Sequence, residues 1–180
     1  MSYDECYVKS VVRTINDWPE PGIAFRDVTP IFKDPKALRM VSDSLITRYI
    51  DSGITHIACI DARGFLLGSI IAYQLNLPLV LVRKKGKLPG DTICQDYTLE
   101  YGTATVEMQT DSLAEGNRVL IFDDLIATGG TVLAAATLIR KLGAEVHEAA
   151  ALIDLPDLQG SARIQEAEIP VYTLLAYEGH

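Results

Sequence analysis

One run constrains this chain more than any other: Val119-Leu120-Ile121-Phe122-Asp123-Asp124-Leu125-Ile126-Ala127-Thr128-Gly129-Gly130-Thr131. Four apolar residues, Val119–Phe122, predict a buried strand. Two acids stand at its carboxyl end, which is where ligands bind in open α/β sheets. A loop of small residues then enters a helix predicted over 130–142. The backbone N–H groups of Ala127, Thr128, Gly129, Gly130 and Thr131, the two threonine hydroxyls and the helix N-terminus together make a cradle for a monophosphate. Asp123 and Asp124 cannot bind phosphate directly. They suit ribose hydroxyls, or the water shell of a divalent cation. No Gly-Lys-Ser/Thr follows, so this is not a Walker loop, and no GxGxxG occurs, so it is not the dinucleotide fingerprint.

The rest of the chain supplies the sheet that such a strand needs. The pattern predicts strands at His56–Ile60, Leu79–Arg83, Glu145–Ile153 and Val171–Leu175. Helices are predicted over 3–15, 35–51, 64–75 and 157–166. Several strands are near-continuous apolar runs, as parallel strands covered on both faces require. Alternation of this kind argues an open α/β sheet, and 180 residues argue one domain, 1–180. Segment 84–109 breaks the rhythm. It is polar, carries Gly86, Gly90 and Gly102, and alternates over Thr103–Met108, which fits a two-stranded flap better than a core element. The uncharged stretch from Gly64 to Val82 is long enough to cross a bilayer. Gln74, Asn76 and Pro78 divide it into a helix and a strand, so no membrane span is expected.

Charge narrows the ligand. Sixteen Lys and Arg against 24 Asp and Glu give a net charge of −8, a field that repels nucleic acid and acidic membranes. An anionic ligand must therefore be held locally. Arg83, Lys84, Lys85 and Lys87 place four of the sixteen cations within five residues at a strand end, a patch suited to a polyanionic small molecule. Asp61-Ala62-Arg63-Gly64, after the first apolar strand, is a second anion site whose guanidinium can grip a diphosphate. Cys6, Cys59 and Cys94 are far apart and form no CxxC pair, which argues against a zinc site or a disulfide framework and suits a reducing cytoplasm. His56 and His147 read as structural, and Met40 and Met108 as packing residues.

The Val119–Thr131 run resembles the phosphoribosyl-pyrophosphate signature of the type I phosphoribosyltransferases. Pro21-Gly22-Ile23-Ala24-Phe25-Arg26-Asp27-Val28-Thr29-Pro30, Asp61-Ala62-Arg63-Gly64-Phe65, Val82-Arg83-Lys84-Lys85-Gly86-Lys87-Leu88-Pro89-Gly90 and Leu99-Glu100-Tyr101-Gly102 are similar to motifs of the adenine-using branch of that family. The resemblance runs from about residue 15 to 140, with conservative departures at Ala62 and Phe122.

It implies a central parallel sheet flanked by helices, an N-terminal hood over about 1–33 and a flexible flap over about 84–109. It further implies the reaction of adenine with 5-phosphoribosyl 1-diphosphate to AMP and diphosphate in purine salvage, with Mg²⁺ reached through diphosphate, ribose and water rather than held directly. A homodimer is also implied, and the cysteine usage above places it in the cytoplasm. Under this resemblance Phe25 stacks on the purine and the Arg26 backbone reads its edge. Asp61, Ala62 and Arg63 take the diphosphate, with a cis peptide at Asp61–Ala62, and Arg83, Lys84 and Lys87 assist. Asp123 and Asp124 hold ribose or the metal's waters, and Ala127–Thr131 hold the 5′-phosphate. Glu100, beside Tyr101, is the general acid/base. Arg63 and Glu100 are thus the candidate catalytic pair.

Two alternatives stay open at this level. A phosphoribosyltransferase for a 6-oxopurine would want a lysine near the base, and Ala149–Leu155 carries only Asp154. A non-catalytic regulator on the same fold should add a winged-helix domain or a basic face, and neither is visible.

Overall fold

The computed structural model describes residues 3–99 and 102–179. Five parallel strands form the centre of the main sheet: β3 (His56–Ile60), β4 (Leu79–Lys84), β7 (Arg118–Ile126), β8 (Glu145–Asp154) and β9 (Val171–Ala176). A hairpin, β5 (Thr92–Leu99) and β6 (Gly102–Gln109), joins one edge antiparallel, giving the order β5-β6-β4-β3-β7-β8-β9. Strand alternation sends β7 side chains to two cores. Leu120 and Phe122 lie in the core with the helices α1 (Glu5–Val11), α2 (Thr29–Lys33), α3 (Pro35–Tyr49) and α4 (Gly64–Leu75), while Val119 and Ile121 face α5 (Gly130–Lys141). Each fully buried Leu or Phe of this kind contributes about 1.5–3 kcal/mol.

Local signals explain the helix ends. Asp34 caps α3 by accepting from Lys36 N at 2.9 Å and Ala37 N at 3.0 Å, with Pro35 in the first turn. Asn76, in the left-handed region, ends α4. Within α4, Gly68 lets the helix lie against β3: a Cβ there would stand 2.0 Å from Cys59 Sγ. That close approach seats the start of α4, and with it Arg63, over the carboxyl end of β3.

Three sequence expectations change. The helix expected over 3–15 stops at Val11, and β1 (Arg13–Asn16) pairs antiparallel with β2 (Ala24–Asp27) as a small separate sheet. The β-branched residues Val12, Thr14 and Ile15 favour extended backbone, and a hairpin partner across the Trp18–Gly22 turn satisfies it. The strand expected at Val119–Phe122 continues to Ile126, because Asp123, Leu125 and Ile126 keep pairing with Ala151, Ile153 and Asp154 of β8. Within segment 84–109, Val106 and Met108 are buried in the second core, and β6 pairs with β4 at Arg83 and Lys84. The inner part of β6 is therefore a core strand. A 3₁₀ turn (Pro156–Leu158) and α6 (Gly160–Glu166) complete the chain before β9. Among the described residues no helix is long and apolar enough to cross a membrane.

Candidate active site

Because the central strands are parallel, the loops after β3, β4, β7 and β8 gather at one edge of the sheet. The first is Asp61-Ala62-Arg63, where the Asp61–Ala62 peptide is cis. Arg63 Nε donates to Asp124 Oδ2 at 2.5 Å, and its guanidinium carbon lies 5.6 Å from the Phe25 ring centroid. Its charge thus lies between the acid pair and the small β1–β2 sheet.

The acid pair is asymmetric. Asp124 is buried at 8% exposure and holds Arg63. Asp123 Oδ1 accepts the Asp124 N–H at 2.8 Å. Burial pushes the Asp123 carboxyl well above the usual carboxylate range, and the charge of Asp124 adds to that, with Arg63 opposing. A neighbouring cation or a hydroxyl donor would reverse this shift, which is what a ribose or a hydrated metal offers. Among the described residues no three His, Cys, Asp or Glu side chains converge to hold an ion alone. Two adjacent carboxylates fit the water shell of a divalent ion that a ligand brings with it, rather than an ion held by the protein alone.

Beyond β7 the Ala127–Thr131 loop turns into α5. Gly129, at φ +80°, is the residue before the helix, and no side chain caps it. The first N–H groups of α5 are therefore available to an anion. The loop is braced from outside by α6, which the sequence reading did not assign to the site. A Cβ on Gly160 would stand 2.1 Å from the Ala127 carbonyl oxygen and 2.8 Å from Gly129 N, and Arg163 Nη1 donates to Thr128 O at 3.3 Å. A glycine opening a helix, with an arginine one turn later, carries no signal in isolation. Only contact with the loop reveals it.

Arg83 behaves differently from the neighbouring lysines. Its Nε donates to Asp61 Oδ2 at 3.1 Å and its Nη1 to Lys87 O at 3.0 Å. It ties the Asp61 loop to the basic loop, while Lys84 and Lys87 are exposed. Phe25 on β2 meets Trp18 edge to face at 4.4 Å between centroids. Arg26 turns the other way, donating to Thr14 Oγ1 at 2.7 Å and to the carbonyls of Glu178 and Gly179 at 3.2 and 3.1 Å. Its side chain fastens the C-terminal segment, which leaves only its backbone for a base. On the hairpin, Tyr97 lies beside the start of α5, 3.2 Å from where a Gly130 Cβ would be. Glu100 and Tyr101 lie outside the described residues. His56 bonds Thr55 Oγ1 and His147 bonds Arg118, both far from this edge, and Met40 and Met108 are buried in the cores.

The acid pair, the basic loop and the uncapped start of α5 share one sheet edge, and the phosphoribosyl transferase domain model, which defines the class of this fold, matches residues 31–171. An adenine phosphoribosyltransferase of Marinomonas sp. is 60% identical over 179 residues, covering 99% of each chain. The crystal structure of adenine phosphoribosyltransferase from Rhodothermus marinus superposes with a TM-score of 0.90 at 45% identity, covering 96% of this chain and 98% of that one. The Saccharomyces cerevisiae enzyme, solved with an iminoaltritol bisphosphate and adenine, gives a TM-score of 0.88 at 34% identity, covering 95% and 98%. The chain belongs to the adenine phosphoribosyltransferase family.

Proposed function

We propose that the protein transfers the 5-phosphoribosyl group of 5-phosphoribosyl 1-diphosphate to adenine, releasing diphosphate and forming AMP. The observation that carries this reading is the convergence, on one sheet edge, of the uncapped start of α5, the Asp123–Asp124 pair and the Arg63 loop. The C1′–O bond to diphosphate breaks with its electron pair as N9 of adenine bonds C1′ from the opposite face. The N9 proton passes to a base, for which Glu100 is the candidate. The remaining work is positioning and charge stabilisation.

In this reading Ala127–Thr131 hold the 5′-phosphate, and Asp123 and Asp124 take the ribose hydroxyls. Arg63, Asp61, Ala62, Lys84 and Lys87 surround the diphosphate, and Arg83 braces them. When bound with the sugar diphosphate, Mg²⁺ would supply charge neutralisation of the leaving group, and Asp123 and Asp124 are the residues that would hold its water ligands. Phe25, with Trp18 behind it, stacks on adenine, and residues 1–33 form a hood over the base. The outer part of the β5–β6 hairpin serves as a flap that excludes water. A cytoplasmic homodimer belongs to the same reading. Three free cysteines, one of them exposed, suit a reducing compartment, and Leu66 and Tyr73, 48% and 82% exposed on α4, offer an apolar face to a second copy.

The test is product analysis of adenine, hypoxanthine and guanine with 5-phosphoribosyl 1-diphosphate and Mg²⁺. AMP is the expected product. IMP or GMP formed as readily as AMP would replace this reading with the 6-oxopurine alternative.

A further inference from the structure

Glu107 lies on β6, and the mechanism above does not use it. It is 3% exposed, opposite Arg83 on β4 and Cys94 on β5. No cation pairs with it among the described residues. Instead Oε1 accepts the backbone N–H groups of Lys87 and Leu88, both at 2.7 Å, and Oε2 faces the Thr92 hydroxyl at 3.4 Å. Burial raises the Glu107 carboxyl, but the N–H groups of Gly86, Leu88 and Lys87 outweigh it and hold the group below its ordinary range. A buried carboxylate whose short hydrogen bonds both come from the backbone of one turn, with a single hydroxyl at longer range, fixes the shape of that turn.

The turn is the basic loop. The peptide groups of Lys87 are held from two sides, the N–H by Glu107 and the C=O by Arg83, which itself is bonded to Asp61. The chain Asp61–Arg83–Lys87–Glu107 therefore links the Asp61–Arg63 loop, the basic loop and the strand that carries the hairpin. With the inner N–H groups of the turn directed at Glu107, the side chains of Lys84 and Lys87 are left exposed to solvent and to a ligand.

We infer that Glu107 is a positioning residue: it holds the Lys84–Leu88 turn in the shape that presents its lysines to the diphosphate of the substrate. This rests on the reading that the basic loop takes diphosphate. It makes a prediction opposite in sign to simple electrostatics. Removing a negative charge beneath four cations should tighten diphosphate binding if charge alone mattered. Losing the turn's shape should weaken it.

The experiment measures the KM for 5-phosphoribosyl 1-diphosphate, the inhibition constant of inorganic diphosphate and the Kd of AMP, which lacks that group. Glu107→Ala is expected to raise the first two about tenfold, below the ~10²-fold that a 1 Å misplacement can cost, and to leave AMP binding within about twofold. Glu107→Gln keeps an amide oxygen for the two N–H groups and should recover to within about threefold of wild type. Unchanged or tighter diphosphate binding in Glu107→Ala, or equal weakening of AMP and diphosphate, overturns the inference. Should the alanine variant not fold, Glu107→Asp, whose shorter side chain withdraws the acceptor oxygen from Lys87 N and Leu88 N while keeping the charge, decides by the same signs: weaker diphosphate with unchanged AMP supports it, and any other pattern overturns it. Lys87→Ala separates the two levels. If it leaves diphosphate binding unchanged, the basic-loop reading fails and this inference with it. If it weakens binding while Glu107→Ala does not, only the role of Glu107 fails.

Discussion

Charged side chains line both edges of the main sheet. At the amino edge, Glu148 accepts from Arg48 Nη2 at 2.6 Å, Arg48 Nε at 3.0 Å and the Tyr49 hydroxyl at 2.5 Å. Arg118 bonds His147 at 2.8 Å and the carbonyls of Ser52 and Gly53. Burial and then Arg118 lower the His147 pKa, keeping the ring neutral and able to accept. At the carboxyl edge Arg63 and Arg83 pair with Asp124 and Asp61, but other groups there are left incomplete. Asp123 is ionised only with difficulty, the start of α5 has no side-chain cap, and the lysines of the basic loop point outward. One edge closes its electrostatics within the protein, and the other leaves them for a ligand to close. Residue type alone does not tell a structural ion cluster from a site; saturation does.

The sharpest way to break this contrast is to remove chemistry from the carboxyl edge. Glu100 follows the last residue of β5 in sequence. Glu100→Leu is expected to lower kcat by ~10²–10⁴, the usual range for a general acid or base, with the Kd for 5-phosphoribosyl 1-diphosphate nearly unchanged. Single-turnover AMP formation at saturating substrates measures it. A loss under about threefold would remove proton transfer from this residue's role.

A smaller effect tests the brace behind the phosphate loop. Gly160→Ala sets a methyl group 2.1 Å from the Ala127 carbonyl oxygen, so α6 or the loop must move. Overpacking of this kind costs about 1–3 kcal/mol of stability. The KM for 5-phosphoribosyl 1-diphosphate should rise about tenfold, since a displaced loop misplaces its N–H groups. Unaltered steady-state kinetics would show that the loop tolerates a shifted α6.

The amino edge should respond in the opposite currency. Glu148→Ala strands the Tyr49 hydroxyl and Arg48. The expected loss is about 2 kcal/mol, less than the ~3–5 kcal/mol of a fully buried pair, because water still reaches Arg48. Activity per folded molecule should stay within about twofold. Urea unfolding and steady-state kinetics on one preparation check both halves, and a kinetic defect without a stability loss would erase the distinction between the edges.

Much of the carboxyl edge was legible because its signals are contiguous. Val119–Thr131 contains strand, acids, loop and helix start in one run, and Asp61–Gly64 follows a strand end directly and reaches a helix start. What escaped depends on distant pairs. Asp123–Ile126 stay in the strand because β8 continues beside them, and no local pattern announces that partner. The 3–15 helix failed for a similar reason: Arg13–Asn16 satisfy their backbone on Ala24–Asp27, across a turn. Gly160 and Glu107 act on loops that are 31 and 19 residues away from them in sequence, at Gly129 and Leu88. Arg83 reads as a ligand cation in sequence, yet Asp61 and the Lys87 carbonyl already engage it.

The subtlest expected effect lies within the acid pair itself. Asp123→Asn keeps an oxygen to accept the Asp124 N–H and removes only the charge. The folded state raises the Asp123 pKa, first by burial and then through Asp124. A carboxyl raised in this way binds its proton more tightly folded than unfolded. Its contribution to stability is therefore fully present below the unfolded value near ~3.9 and is lost as pH rises through the folded value. At neutral pH the unfolded chain carries this carboxyl ionised, whereas the folded protein disfavours ionisation there, so folding works against it. Asp123→Asn should thus be more stable than wild type at pH 7 and less active, and the gap in Tm should close as the pH falls toward about 3.5. Paired thermal melts across that range read the sign directly. An asparagine variant that is less stable at pH 7 would mean that the fold favours ionised Asp123, and that the carboxyl edge is no less complete than the amino edge.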